Sequence, residues 1–321
     1  MMAGGGFEDG DLRATLSVAL SVPDADDVPA TLRDGVCETY VFGGPLGTGA
    51  SMIVGLQRDS GLPVAVLRLA GSRRGREAAL RDARWSQRVR HPNVVPVRDI
   101  VDRPDALAVF DWVEGASLGS LLPVAATCPV PVPAGVVGSI LVDVLRALHA
   151  IHEARDERGA PLGLSCGGLS PASMLVCVDG VGRVCAGRAR THSEPAARRV
   201  DVDVLSAGVA GWGMLVVGAG QGDAREVTTP LDAVVARAVG LCGDPFASAA
   251  LMADAIVATM PLADRREVAG WVRALGAGEL RRVTALVTEL RHTTYPTSWT
   301  MLHGEPAETA GGFRRSSPAW R

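Results

Sequence analysis

The sequence predicts an α+β chain of two unequal lobes, on two observations. Residues 38–113 are short apolar runs separated by turns, the pattern of strands and hairpins. After Glu114-Gly115 the apolar residues recur at spacings of three and four, the pattern of helices with one buried face. A sheet-rich first third followed by a helical remainder keeps strands and helices apart, as α+β chains do. The 321 residues, 47% hydrophobic and 21% charged, suffice for a sizeable core.

Residues 1–37 read as an N-terminal extension with acidic patches and one short helix over Leu12–Ala19. Strands are expected in Glu38–Gly44, Ser51–Gln57 and Pro63–Leu69, the last two joined by the turn Arg58–Leu62. Residues 73–90, rich in Arg, Glu and Ala, read as a helix that Pro92 stops. Val95–Val101 and Ala106–Val113 read as two more strands. Leu118–Leu122 opens a short helix, and Pro133–Arg155 is a long one with Val136, Ile140, Val144, Leu148 and Ile151 on its stripe. Asp179-Gly180 is a turn dipeptide between Ser170–Val176 and Gly182–Cys185, which gives a small hairpin inside the helical part. Helices follow at 203–217, 230–241, 247–259 and 265–290, the last striped by Leu280, Val283, Val287 and Leu290. Residues 292–321 have no period and read as a flexible tail.

Composition excludes several function classes. A net charge of −3 argues against a general nucleic-acid-binding face. All 32 basic residues are arginine, so any mechanism that needs a lysine is excluded, P-loop ATPases and Schiff-base enzymes among them. Cysteines at 37, 128, 166, 177, 185 and 242 form no CxxC pair and argue against a zinc site. Met1–Gly10 has no basic start and carries Glu8 and Asp9, so a cytoplasmic protein with reduced thiols is expected. Val204–Gly220 is uncharged for 17 residues but contains five glycines and is shorter than the roughly 20 a membrane span needs. It reads as a helix buried on all sides of a core, and no membrane partner is expected.

Several segments, in order, resemble the bacterial Ser/Thr protein kinases of eukaryotic type. Leu46-Gly47-Thr48-Gly49 resembles the start of the glycine-rich loop, and Val64-Ala65-Val66 the third strand. His91-Pro92-Asn93-Val94-Val95 resembles the turn after the αC helix, and Asp111-Trp112-Val113-Glu114-Gly115-Ala116-Ser117-Leu118 the hinge. Leu164–Val176, with Leu169-Ser170-Pro171, resembles the catalytic-loop region. Asp203 with Gly208 resembles the start of the central buried helix, and Phe246-Ala247-Ser248-Ala249 the closing segment. The resemblance covers about residues 38–290. It implies a kinase-like domain over 38–291, with an N-lobe at 38–113, a C-lobe at 117–291 and a tail at 292–321.

The resemblance also names the positions that phosphoryl transfer uses, and here they hold other chemistry. The strand lysine falls on Leu67, with Arg68 on the opposite strand face, and the helix glutamate falls on Asp82. The catalytic base falls on Gly168, within Cys166-Gly167-Gly168. The metal-binding asparagine falls on Ser173 and the metal-binding aspartate on Ala186, within Ala186-Gly187-Arg188. Met52 replaces the third glycine of the phosphate loop, and Phe110 stands at the gatekeeper position. Only 16 residues separate Ala186 from Asp203, too few for a peptide-substrate platform. Asp203 and Gly208 are retained and are implied to serve structure.

The reading is therefore a pseudokinase: a signalling scaffold or regulator without phosphotransfer, whose partner is a protein, an active kinase among the candidates. No cofactor is expected. Weak metal-free ATP binding through Gly47, Gly49, Ala65, Asp111 and Val113 stays open, beside a plain hairpin at those glycines. The alternative is a divergent Ser/Thr kinase or another ATP-binding enzyme using the same cleft. Three further clusters have plain readings. His149, His152 and Glu153 read as a helix surface rather than a metal site, and Cys177 with Cys185 as core packing. Arg188, Arg190, Arg198 and Arg199 read as a solvated loop, with an acidic-partner dock as the alternative.

Overall fold

The computed structural model describes residues 37–46, 52–69, 73–102, 106–187, 190–191, 197–217 and 229–295. Within them the chain is mixed α+β, with an antiparallel five-stranded sheet first and most of eight helices after it. The Leu12–Ala19 helix, Gly47, Gly49, Arg188 and the segment 296–321 lie outside the described residues.

The sheet consists of β1 (Tyr40–Pro45), β2 (Met52–Gln57), β3 (Pro63–Arg68), β4 (Val97–Val101) and β5 (Leu107–Asp111), in the order β1-β2-β3-β5-β4. The β2–β3 turn closes because Gly61 takes φ +65°, a conformation glycine enters without a Cβ penalty, and its amide donates to Gln57 O. Register then decides which side chains share a face. Val54, Ala65 and Phe110 lie in one row across β2, β3 and β5, and Met52, Leu67 and Ala108 in the next. The opposite face carries Tyr40, Ile53, Val64, Val66, Leu107 and Val109 in a cluster with Cys37. There the Tyr40 hydroxyl donates to Asp99 Oδ2 at 3.2 Å. Burial, and then the Asp99 charge, push its pKa up to about 12.

On the first face the sheet is covered by α1 (Arg73–Ser86), whose Leu80 and Ala83 pack with Leu67, Leu69, Ala108 and Phe110. The predicted helix over 73–90 stops at Ser86, where the Ser86 hydroxyl donates to the Asp82 carbonyl.

The helical part opens with β6 (Gly115–Ser117) and α2 (Leu118–Thr127), which the Ser117 side chain caps by accepting from Ser120 N. The long helix α3 (Ala134–His152) is its axis. Of its 19 residues, 13 are buried, which accounts for its apolar composition. Among the described residues it is the helix long and apolar enough to cross a membrane. β7 (Leu164–Ser165) pairs with β10 (Arg190–Thr191), while β8 (Met174–Cys177) lies between β6 and β9 (Gly182–Val184). The β8–β9 hairpin is shorter than predicted, since Pro171–Ser173 forms a 3-10 turn.

The remaining helices are α4 (Ala197–Val216), α5 (Pro230–Ala238), α6 (Ala249–Thr259), α7 (Arg265–Leu275) and α8 (Ala277–Thr294), of which α4, α6 and α7 pack on α3. Three expectations are corrected. α4 is not buried on all sides: Val202, Leu205 and Val216 are exposed, while Ala207–Gly211 and Gly213–Leu215 are buried. The predicted helix 265–290 is two helices broken at Gly276. A Cβ there would come within 2.7 Å of Val272 O and 3.1 Å of Leu121 Cδ2. Residues 292–294 are the last turn of α8, not tail.

Gly208 has a plain packing role. A Cβ on it would meet Ala238 Cβ at 2.8 Å and Val239 Cγ1 at 3.1 Å, so its absence lets α4 and α5 approach. Gly278, inside α8, faces open space. Gly208→Val is expected to destabilise the protein by about 1–3 kcal/mol through overpacking. Gly278→Ala should stabilise by ~0.5–1 kcal/mol through helix propensity. Urea denaturation checks both; equal effects at the two positions would contradict this packing.

Candidate functional site

Of the positions singled out in the sequence, Met52, Ala65, Leu67, Phe110 and Val113 cluster on the α1-bearing face of the sheet with Leu175 of β8 and Cys185 beyond β9, while Gly168 lies apart beside α4. Val95 N donates to Val184 O and Val184 N to Asn93 O, which joins the two parts by main chain. The buried Asn93 side chain adds a bond to Gly182 O at 2.9 Å.

At this junction the chemistry is apolar. Leu67 is 5% exposed and clusters with Leu80, Ala83 and Phe110, with Met52, Ala65, Val113, Leu175 and Cys185 packed against them. A side chain at Gly187 would overlap the Phe110 ring and approach Leu67 Cδ2 to 2.9 Å. Ala186 is buried beside it. Asp82 is also buried, with its carboxylate 3.7 Å from Arg81 Nε. Strand alternation puts Arg68 on the face of Val64 and Val66, away from Leu67.

The segment that follows β7 is held by one carboxylate. Asp203, on α4, is fully buried. Its Oδ2 accepts from Cys166 N at 2.8 Å and its Oδ1 from Gly168 N at 2.9 Å. His152 Nε2 lies 2.8 Å from Oδ2 and is the donor to that carboxylate. This corrects the surface reading of the α3 histidines: His149 is exposed, but the His152 side chain is only 7% exposed and turns inward to Asp203. A buried carboxylate gathers such donors because desolvation would otherwise be too costly. The chain can bring both amides to it because Gly167 and Gly168 take φ of +66° and +100°. Ser173 Oγ donates to Ser170 O at 2.7 Å and so closes its own turn.

Burial is the main cause that raises three thiols: Cys177 to about 11, Cys185 to about 12, and Cys166 well above its ordinary value, with the Asp203 charge adding to the last. They are protonated thiols, without nucleophilic character at neutral pH.

Two features went unread in the sequence. Arg265 on α7 bonds to both oxygens of the buried Asp143, with Nη2 at 3.0 Å from Oδ1, and Gly182 N donates to Asp143 Oδ2. A carboxylate in the middle of an otherwise apolar helix was the signal. The second is α8. Val287 and Leu290 pack on Val54 and Leu56, both 0% exposed, with Val41, Leu46, Trp112, Leu286 and Tyr295 around them. Gly43 makes the approach possible: a Cβ there would lie 2.7 Å from Val54 Cγ1 and 3.0 Å from Leu290 Cδ2. Val54 shares its row with Ala65 and Phe110, so α8 covers the same sheet face as α1.

At the end of β5, Asp111 N is committed to Pro96 O, and the Asp111 carboxylate pairs with Arg98 Nε at 2.7 Å. Val113 packs against the Leu67 cluster.

No protein-family model matches the chain. A tyrosine-protein kinase of Myxococcus xanthus (strain DK1622), MasK, is 27% identical to it over 100 residues. That stretch is 31% of this chain and only 16% of that protein. The similarity is distant and kinase-related.

Asp203→Ala strands two backbone amides and His152 in a buried place, and is expected to cost about 3–5 kcal/mol. Chemical denaturation measures it; a loss under about 1 kcal/mol would show that the amides find other partners. In the native protein, a thiol reagent at neutral pH should modify the exposed Cys242 rapidly, the half-buried Cys166 and Cys185 slowly, and the buried Cys177 only on unfolding. Fast native labelling of Cys177 would contradict its placement.

Proposed function

We propose that this chain is a kinase-like domain of two lobes that does not transfer phosphate and acts through protein contacts, as a scaffold or regulator of a signalling partner. The domain runs over residues 38–291, with α8 carrying it to Thr294. The distant similarity to a kinase supports the relationship, and so do the five-stranded sheet, the helix α1 packed on it and the helical remainder.

The observation that carries the inactive reading is the packing of Leu67, Phe110 and Gly187. Phosphoryl transfer works by placing cations around the phosphates and a base at the acceptor hydroxyl. At this junction the space is filled by a leucine, an aromatic ring and a glycine too close to the ring to bear a side chain. Gly168 offers no proton acceptor, and its amide is bound to Asp203. The tie of Asp203 to the loop keeps the scaffold without keeping the reaction. A protein partner is then the role that remains, and an active kinase fits it.

ATP with or without Mg²⁺ is expected to leave the melting temperature unchanged, and radiolabelled ATP to leave no label on the protein or on a generic substrate. The thermal assay is sensitive enough to decide. A ligand at one hundred times its Kd adds about 2.7 kcal/mol, and each kcal/mol moves a domain of this size by roughly 2–4 °C. A magnesium-dependent rise together with incorporated label would overturn the inactive reading.

A further inference from the structure

We propose that the basic outer face of α1 is a docking surface whose occupant is the acidic N-terminal segment of the same chain, Asp24-Ala25-Asp26-Asp27. An acidic segment of a partner then reaches the face only by displacing that occupant. The proposal rests on charge and reach, and is independent of the kinase-like reading.

Three observations carry it. First, positive charge is concentrated on one face. Residues 73–90 hold seven arginines against Glu77 and Asp82, in a chain whose net charge is −3. Because α1 turns Leu80 and Ala83 to the sheet, its arginines are left outside. Arg84 and Arg90 are exposed, and the Arg81 and Arg88 side chains are 59% and 40% exposed. Second, part of that charge is uncompensated. Arg76 pairs with Asp102, Arg88 with Glu157, and Arg81 lies 3.7 Å from the buried Asp82. Arg84 and Arg90 have no acidic partner among the described residues. Third, the chain carries the complement. Residues 1–36 hold seven acidic residues against Arg13 and Arg33, so the two segments have equal and opposite excess charge. Of its two acidic clusters, Glu8–Asp11 and Asp24–Asp27, the second is nearer to the sheet in sequence and has the smaller loop-closure cost. Pro23 and Pro29 bracket it and disfavour a helix through it. Extended, Asp24 to Asp27 spans about 10 Å, and Arg81 to Arg88 spans about 10 Å at the helical rise. The segment also reaches. Cys37 is fixed by packing with Tyr40 and Ile53, and by Arg58 Nε donating to its carbonyl. Asp27 stands ten residues before it, a reach of up to about 33 Å. Five strands about 4.8 Å apart make a sheet about 19 Å wide, so the segment can round its edge to α1. A single exposed ion pair contributes little. Three on one tether act together, because the tether holds them at an effective concentration in the millimolar range. At an isolated-segment Kd of about 0.1 mM, that concentration weakens a competing acidic ligand roughly tenfold.

The test uses the full chain and a fluorescein-labelled peptide of residues 20–31, with binding read by fluorescence anisotropy at low salt. The segment variant Asp24→Asn/Asp26→Asn/Asp27→Asn frees the face, and is expected to bind the peptide roughly tenfold more tightly than the wild type does. Adding Arg81→Ala/Arg84→Ala to that variant should weaken binding by roughly tenfold or more, and so should about 0.5 M NaCl, by screening. Both arginines are exposed, so the fold is expected to survive their loss, which circular dichroism checks. Equal affinity of the wild type and the segment variant leaves the face to an outside acidic partner and overturns docking of the chain's own segment. Binding that the arginine substitutions leave unchanged overturns the placement on α1. A wild-type affinity that rises on dilution to that of the segment variant puts the segment on a second copy, and overturns docking within one chain. None of these outcomes depends on phosphotransfer, so incorporated label would defeat the inactive reading and leave this result standing.

Discussion

The Asp203 carboxylate is the constraint on which the helical part depends. It lies on α4, takes two amides from the segment after β7, and receives His152 from the end of α3. Three stretches of chain, far apart in sequence, thereby converge on one charged group with no exposure. The energetics are asymmetric. A satisfied buried carboxylate contributes modestly, whereas one missing donor leaves a desolvated charge. Such a centre sets the path of the chain more than it raises stability. The left-handed glycines Gly167 and Gly168 follow from it, because two amides two residues apart can face one carboxylate only if the backbone turns there.

A second buried carboxylate does the same for the middle of α3. Asp143 holds Gly182 of the β8–β9 turn region and Arg265 at the start of α7. The Arg265 Nη1 also reaches Gly180 O. Besides Ser139, which donates to Ala263 O, the buried polar side chains of α3 are the two that fix its surroundings, one a carboxylate and one an imidazole, while Arg146 and His149 are exposed. Its hydropathy suits a membrane span, but its polar residues are those of a core axis.

Much of the fold was legible because periodicity reports burial. The alternation in β2 and β3 placed Leu67 and Arg68 on opposite faces, and the three-and-four spacing of Pro133–Arg155 gave α3. What failed did so for identifiable reasons. The break at Gly276 was invisible because α7 and α8 are both amphipathic and their stripes run on in register; only the closeness of Val272 O and Leu121 demands the glycine. His152 looked solvated because a polar residue at a helix end ordinarily is, and its partner lies 51 positions away. The last turn of α8 was read as tail because His292, Thr293 and Thr294 have no apolar spacing; it is held instead by Tyr295 on the β2–β3 turn. At the site, the absence of charged groups was readable residue by residue, while what fills their space was not.

That filling is apolar and mutually consistent. A charged side chain buried at this junction without a partner would be costly. Leu67 stands on β3, Phe110 on β5, and Ala186 and Gly187 beside the ring. None of these side chains brings a polar group that the others would leave unpaired, and together they make the junction ordinary core. Once apolar, the sheet face needs a cover. α1 supplies it over Leu67 and Phe110, and α8 over Val54 and Leu56. The two covers are unequal in depth. α1 buries Leu80 and Ala83 against side chains from three strands and the β8–β9 hairpin, whereas α8 meets the sheet at its edge through one stripe. The same sheet face is thus closed by two helices, α1 over Leu67 and Phe110 at its centre and α8 through Val287 and Leu290 at its β1–β2 edge.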